Sequence, residues 1–101
     1  MRRSKLEMYI DILKVLARHG PLKLTHIMYK ANINCSVLKQ YLDFLIQQNL
    51  IEEQTLLKKR NKKRIVYAIT KRGRTVLKYF RELNSALQIT EEAKKIPALL
   101  Y

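Results

Sequence analysis

The chain has 101 residues, 48% of them hydrophobic, which suits one folded domain with a modest core and excludes a disordered basic tail. Its 21 Lys and Arg against 8 Asp and Glu give a net charge of +13, so a polyanion is the expected partner, nucleic acid ahead of an anionic membrane. The lone Cys35 rules out an intrachain disulfide, and the sequence carries no apolar run of membrane-spanning length and no signal-peptide pattern.

Ser4 and Glu7 have capping-box spacing and open a first helix. Leu6, Tyr9, Ile10, Leu13, Leu16 and Ala17 repeat at three and four and mark its inner face. His19-Gly20-Pro21 stops it, with Gly20 suited to the left-handed position after a helix. A second, shorter helix spans Leu24 to Ala31, with Leu24, Ile27, Met28 and Ala31 inward and only Lys23 to cap it. Asn32-Ile33-Asn34 forms the turn. Asn34 caps a third helix from Cys35 to Gln48, which Asn49 can end in the αL conformation. Its expected inner set is Val37, Tyr41, Leu42 and Leu45, joined by Phe44 or Ile46.

The period then changes to two. Ile51, Glu53, Thr55 and Leu57 share one strand face, and Ile65, Tyr67 and Ile69 alternate with Val66 and Ala68 on the return strand. Between these strands, six of the seven residues from Lys58 to Arg64 are cationic. Like charges crowded at a hairpin tip repel one another, and an external anion would offset that repulsion. Thr70 caps a last helix with early apolar positions Val76, Leu77, Phe80, Leu83 and Leu87. The pattern blurs at Gln88-Ile89-Thr90, so a kink or a new helix at Thr90 is an alternative to one helix running to Pro97.

The order is therefore α-α-α-β-β-α, an α+β, mostly helical winged helix-turn-helix. Helices two and three are the helix-turn-helix, and the basic hairpin is the wing. Residues 1–70 form the DNA-binding domain, with the wing over 51–70, and residues 71–101 form a long C-terminal dimerisation helix. Ile27-Met28-Tyr29 with Ala31-Asn32, Tyr41-Leu42 with Leu45, Asn49-Leu50-Ile51 and Tyr67-x-Ile69-Thr70-x-x-Gly73 carry a resemblance that covers nearly the whole chain. It is to archaeal winged-helix DNA-binding proteins, the small dimeric chromatin-associated and regulator-like group with a C-terminal coiled-coil helix. Asn49 stands where many winged helices have Gly, and the wing tip is more basic than is usual for the group. The resemblance implies binding to double-stranded DNA and a homodimer.

On the third helix Ser36, Lys39, Gln40 and Asp43 lie away from Val37, Tyr41 and Leu45. Lys can donate to guanine O6 and N7, and Gln can pair with adenine N6 and N7. An ordinary solvated helix face is the competing reading, and the helix-turn-helix context favours contact for Ser36, Lys39 and Gln40. Asp43 reads as a solvated residue or a neighbour of a cation. The wing candidates are Lys58, Lys59, Arg60, Asn61, Lys62, Lys63 and Arg64, against a solvated loop. Arg60 and Asn61 at the tip suit a minor groove. Arg2, Arg3 and Lys5 offer a basic arm, with a frayed terminus as the rival. Lys71, Arg72 and Arg74 open the last helix where its dipole disfavours cations, so an outside anion would relieve them.

Past Phe80 the last helix is longer than a domain of this size can cover. Leu83, Leu87, Ile89, Ala93 and Ile96 form an apolar stripe suited to a second copy of the chain. His19 and His26 have no partners at metal-ligand spacing, and Cys35 reads as a packed or half-exposed small residue. With no catalytic triad, no paired carboxylates and no glycine-rich loop, the sequence predicts no enzyme and no cofactor, and no small-molecule ligand is evident in it. The expectation is a homodimeric duplex-DNA binder of the cytoplasm, associated with the nucleoid, with no membrane partner. It is either a transcriptional regulator or an architectural chromatin protein. RNA binding and a protein-interaction winged helix are the alternatives; assignment of most of the six Tyr to the core argues against RNA, whose single strands stack on exposed aromatics.

Overall fold

The Ser4 side chain accepts the backbone N–H of Glu7 at 3.1 Å, and Glu7 Oε1 accepts that of Ser4 at 3.2 Å. This reciprocal capping box starts α1 (Lys5–His19) where the spacing predicted. The computed structural model describes the backbone of residues 3–58 and 62–94 and, within them, all side chains except those of residues 58, 62 and 88–94. The elements follow as α2 (Leu24–Ala31), α3 (Cys35–Gln47), β1 (Ile51–Lys58), β2 (Lys62–Ile69) and α4 (Lys71–Lys94). This is the predicted α-α-α-β-β-α order.

One core joins them. Ile10, Ile12, Leu13 and Leu16 of α1 meet Ile27 and Ala31 of α2 and Leu38, Tyr41, Leu42 and Leu45 of α3, closed by Ile51, Ile69 and Leu77. Two inner positions differ from the periodic reading. Leu6 lies in the first turn, before the helix reaches the core, and is 58% exposed, while Ile12 is fully buried. On α3 the stripe is Leu38, Tyr41, Leu42 and Leu45, and Val37 is half-buried at its margin. Phe44 keeps an exposed edge but stacks on Tyr9 with ring centroids 4.8 Å apart, and Tyr9 meets Tyr41 edge-to-face at 4.9 Å. These rings fasten α3 to α1.

Left-handed residues make the turns. Asn32 (φ 55°, ψ 55°) ends α2, and the Ile33 N–H reaches back to Met28 O at 3.2 Å. Asn49 (φ 60°) ends α3 with both bonds of a Schellman motif, Leu50 N–H to Leu45 O at 2.9 Å and Asn49 N–H to Ile46 O at 3.0 Å. Asn thus serves where Gly is usual, because it is among the side chains that tolerate αL best. Gly20 ends α1 with positive φ (79°), but its ψ of −163° is not αL; this is a conformation reserved in practice for glycine.

The hairpin pairs Ile51 with Ile69, Glu53 with Tyr67, Thr55 with Ile65 and Lys58 with Lys62. Leu22 adds an isolated bridge on the other edge of β2, exchanging hydrogen bonds with Tyr67 at 2.8 and 3.0 Å. A single bridging residue has no period and so leaves no signal in the sequence. α4 continues as one helix through Thr90, so no new helix starts there. Its N-terminal part returns to α1 through Val76, Leu77 and Phe80, with the Lys14 ammonium 5.9 Å from the Phe80 ring centre.

Candidate nucleic-acid interface

The turn between α2 and α3 is held from two sides. The Asn34 side chain accepts the Ser36 backbone N–H at 2.9 Å, and the Ser36 hydroxyl donates to the same oxygen at 2.8 Å. This fixes the N-terminus of α3. Arg3 reaches across from the start of α1: Nη1 donates to Ala31 O at 2.7 Å and to Asp11 Oδ2 at 2.8 Å, and Nη2 donates to Asn32 O. The expected basic arm is therefore not free at Arg3. Its guanidinium satisfies carbonyls at the end of α2, where a cation is favoured. Lys5 is exposed, and Arg2 lies outside the described residues.

With Leu38, Tyr41, Leu42 and Leu45 turned inward, Ser36, Lys39, Gln40 and Asp43 are left exposed on α3. Lys39 and Gln40 carry acceptor-seeking and bidentate groups on a helix whose opposite face is locked into the core. Asp43 stands near the root of the wing. Burial pushes the Tyr67 phenol above its ordinary value, and the charges of Glu53 and Asp43 push in the same direction. Tyr67 thus brings α3 and the hairpin together around one acidic spot.

Along the wing Lys63 is exposed and Arg64 half-buried. The register places them on opposite faces of the ribbon, Lys63 across from Leu57 and Arg64 across from Leu56. Lys59, Arg60 and Asn61, and the side chains of Lys58 and Lys62, lie outside the described residues. Lys71, Arg72 and Arg74 are exposed in the first turn of α4, which holds no acidic residue. Among the described residues Arg3 with Asp11 is the sole ion pair, so none of these cations is neutralised by a described carboxylate.

On α4 Leu83 and Leu87 are 57% and 50% exposed. The side chains of Ile89 and Ala93, and all of Ile96, lie outside the described residues. The tyrosines differ from expectation: among the described residues only Tyr41 is buried, while Tyr29 and Tyr79 are 78% and 64% exposed. Tyr29 sits on an eight-residue helix that buries only Ile27 and Ala31, too short a pattern to assign its remaining positions from sequence. Exposed tyrosines are available to stack on bases, so the tyrosines do not weigh against RNA. No group of His, Cys, Asp and Glu suited to a metal occurs among the described residues, and no described helix is long and apolar enough to cross a membrane.

The winged helix-turn-helix family profile matches residues 2–88. Among solved structures the chain is similar to Sso10a-2, a DNA-binding protein from Sulfolobus solfataricus, at 26% identity and a TM-score of 0.75, covering 98% of each chain. It is similar to a PadR-like transcription factor from Bacteroides fragilis at 18% identity and a TM-score of 0.75, over 88% of this chain and 90% of that one. It is also similar to RV1404 from Mycobacterium tuberculosis at 24% identity and a TM-score of 0.69, over 93% of this chain but only 63% of that one, so it spans less than two thirds of that protein. No curated protein sequence matches the chain. A profile covering nearly the whole sequence, and an architecture with the same order of helices and wing, lead to one assignment: the chain belongs to the winged helix-turn-helix family.

Proposed function

We propose that this protein binds double-stranded DNA as a homodimer and acts in the cytoplasm, on the nucleoid, as a transcriptional regulator or an architectural protein of the small dimeric archaeal type. The observation that carries the reading is the pairing of α3, whose outer face presents Ser36, Lys39 and Gln40, with a hairpin that has six cations in the seven residues from Lys58 to Arg64. α3 enters the major groove, and the wing lies on the phosphates, where its charges replace condensed counterions. Residues 1–70 form the DNA-binding unit and residues 71–101 the dimerisation arm. The likeness to Sso10a-2, itself a DNA-binding protein, supports this reading.

A gel shift on duplex DNA, single-stranded DNA and duplex RNA at two salt concentrations tests it. Preference for duplex DNA, weakening as salt rises, is the expected result. Equal or tighter binding to either other nucleic acid overturns it. Exposed Tyr29 and Tyr79 do not favour RNA, because they sit on separate helices, α2 and α4, whereas single-strand readers set their aromatics in a row along the strand's path.

A further inference from the structure

A second concentration of positive charge lies away from the wing. A cleft of about 400 Å³ is lined by Lys14, Val15, Arg18 and His19 of α1, Lys30 of α2 and Arg81 of α4. Its floor is α1 and its walls are the end of α2 and the middle of α4. Four permanent cations and one histidine line it, and no carboxylate does. None of the five basic side chains is ion-paired among the described residues, and all five are exposed to solvent. Nearby Asp11 is occupied by Arg3, and Glu7 by the Ser4 backbone N–H.

The cleft is separate from the proposed DNA-reading face. Tyr9 turns toward α3 through its contacts with Tyr41 and Phe44. Arg18 follows nine residues later, about 2.5 turns, so it points from the opposite side of α1. Arg81 lies one turn beyond buried Leu77, on the domain-facing side of α4, whereas exposed Leu83 and Leu87 turn away. Helix ends tolerate Arg18, His19 and Lys30 individually, since each lies in the last turn of its helix. That does not account for Lys14 or Arg81, nor for the convergence of all five on one concavity, where a low-dielectric wall focuses their field.

We propose that this cleft binds a small, phosphate-dense anion, a free polyphosphate or the polyphosphate group of a nucleotide. Its volume falls in the range of small-ligand sites, and two guanidiniums from different helices can each grip a phosphate with two hydrogen bonds. A bound anion would tie α4 to α1 and α2 and thereby link its presence to the position of the arm.

The probe is inorganic tripolyphosphate, titrated by calorimetry into the full chain, into a variant with Arg18→Ala, Lys30→Ala and Arg81→Ala, and into a variant with Lys58, Lys59, Arg60, Lys62, Lys63 and Arg64 changed to Gln. The three alanines replace exposed side chains, and circular dichroism and melting temperature verify that both variants fold. The expected result is one saturable site per chain, weakened at least ~10-fold by the alanines and unchanged by the wing substitutions. Loss of binding in the wing variant with retention in the alanine variant overturns the proposal, as does failure of the wild-type chain to bind. A short duplex provides the remaining arm. If it, and not tripolyphosphate, binds the wing variant and is lost with the alanines, the cleft is a DNA surface and the proposal fails.

Discussion

Replacing Gly73 by Ala adds one methyl group inside α4, where helix propensity alone favours Ala by about 1 kcal/mol. The surroundings reverse that sign. A Cβ at Gly73 would lie 2.1 Å from the carbonyl oxygen of Leu50 and 2.7 Å from Cγ1 of Ile69. The Ile69 side chain can turn aside, but the Leu50 oxygen is backbone, and it accepts the Thr70 N–H at 3.1 Å. The start of α4 must therefore retreat by about 1 Å, loosening that bond and the one from Gly73 N–H to Thr70 Oγ1 at 3.0 Å. Overpacking of this kind costs about 1–3 kcal/mol, so after the propensity gain we expect a net loss of up to roughly 2 kcal/mol. For a chain of this length that lowers the melting temperature by roughly 4–8 °C per kcal/mol. Urea titration of both proteins, followed by circular dichroism, reads the difference as a lower midpoint at unchanged slope. A Gly73→Ala protein more stable than the parent would show that α4 does not approach the Leu50 carbonyl this closely.

Changing Lys58, Lys59, Arg60, Lys62, Lys63 and Arg64 to Gln should leave folding intact and weaken binding to all DNA sequences, with the slope of log affinity against log salt falling by about 0.9 per lost phosphate contact; an unchanged slope removes the wing as a phosphate reader. Gln40→Ala should alter sequence preference, costing roughly 1–3 kcal/mol at one base pair if that pair is read directly, as measured by selection from random duplexes. No preference in either protein favours an architectural role. Leu83→Glu with Leu87→Glu should convert a dimer into a monomer in sedimentation equilibrium and reduce DNA affinity; a wild-type chain already monomeric at tens of micromolar, with affinity unchanged in the double variant, refutes the arm as the dimer seam.

Elements with a strong period were legible in the sequence. The capping box at Ser4, the Asn34 cap, the left-handed Asn49 and the change of period at Ile51 each mark a boundary through local chemistry, and local chemistry is what a sequence displays. Contacts between distant segments were not. Arg3 is separated from Ala31 by 28 residues, and nothing about an N-terminal arginine distinguishes a free arm from a clasp on a helix end. The Leu22 bridge depends on where α1 delivers the chain, and the cleft beside Lys14 depends on the crossing of three helices. In α3 the expected inner set included Val37, but Leu38 is the residue buried in the core and Val37 is half-buried at the margin of the stripe. The polar face carrying Lys39 and Gln40 follows from that same stripe, so its exposure was readable where the tertiary partners of Arg3 were not.

Thr70 is a small residue with three attachments: its hydroxyl donates to Asn49 O at 2.7 Å and accepts from Gly73 N–H at 3.0 Å, while its own N–H meets Leu50 O at 3.1 Å. Those bonds join the last residues of the helix-turn-helix to the first turn of the long helix, with no slack between them. Torque applied far along α4 is delivered at this knot rather than absorbed in a linker. If two copies pair through their arms, the pitch of that pairing sets the spacing and the relative angle of their two α3 helices, much as a rigid axle fixes the track of its wheels. A valine in place of Thr70 keeps the shape but removes the hydroxyl's two bonds, and would turn a fixed gauge into an adjustable one.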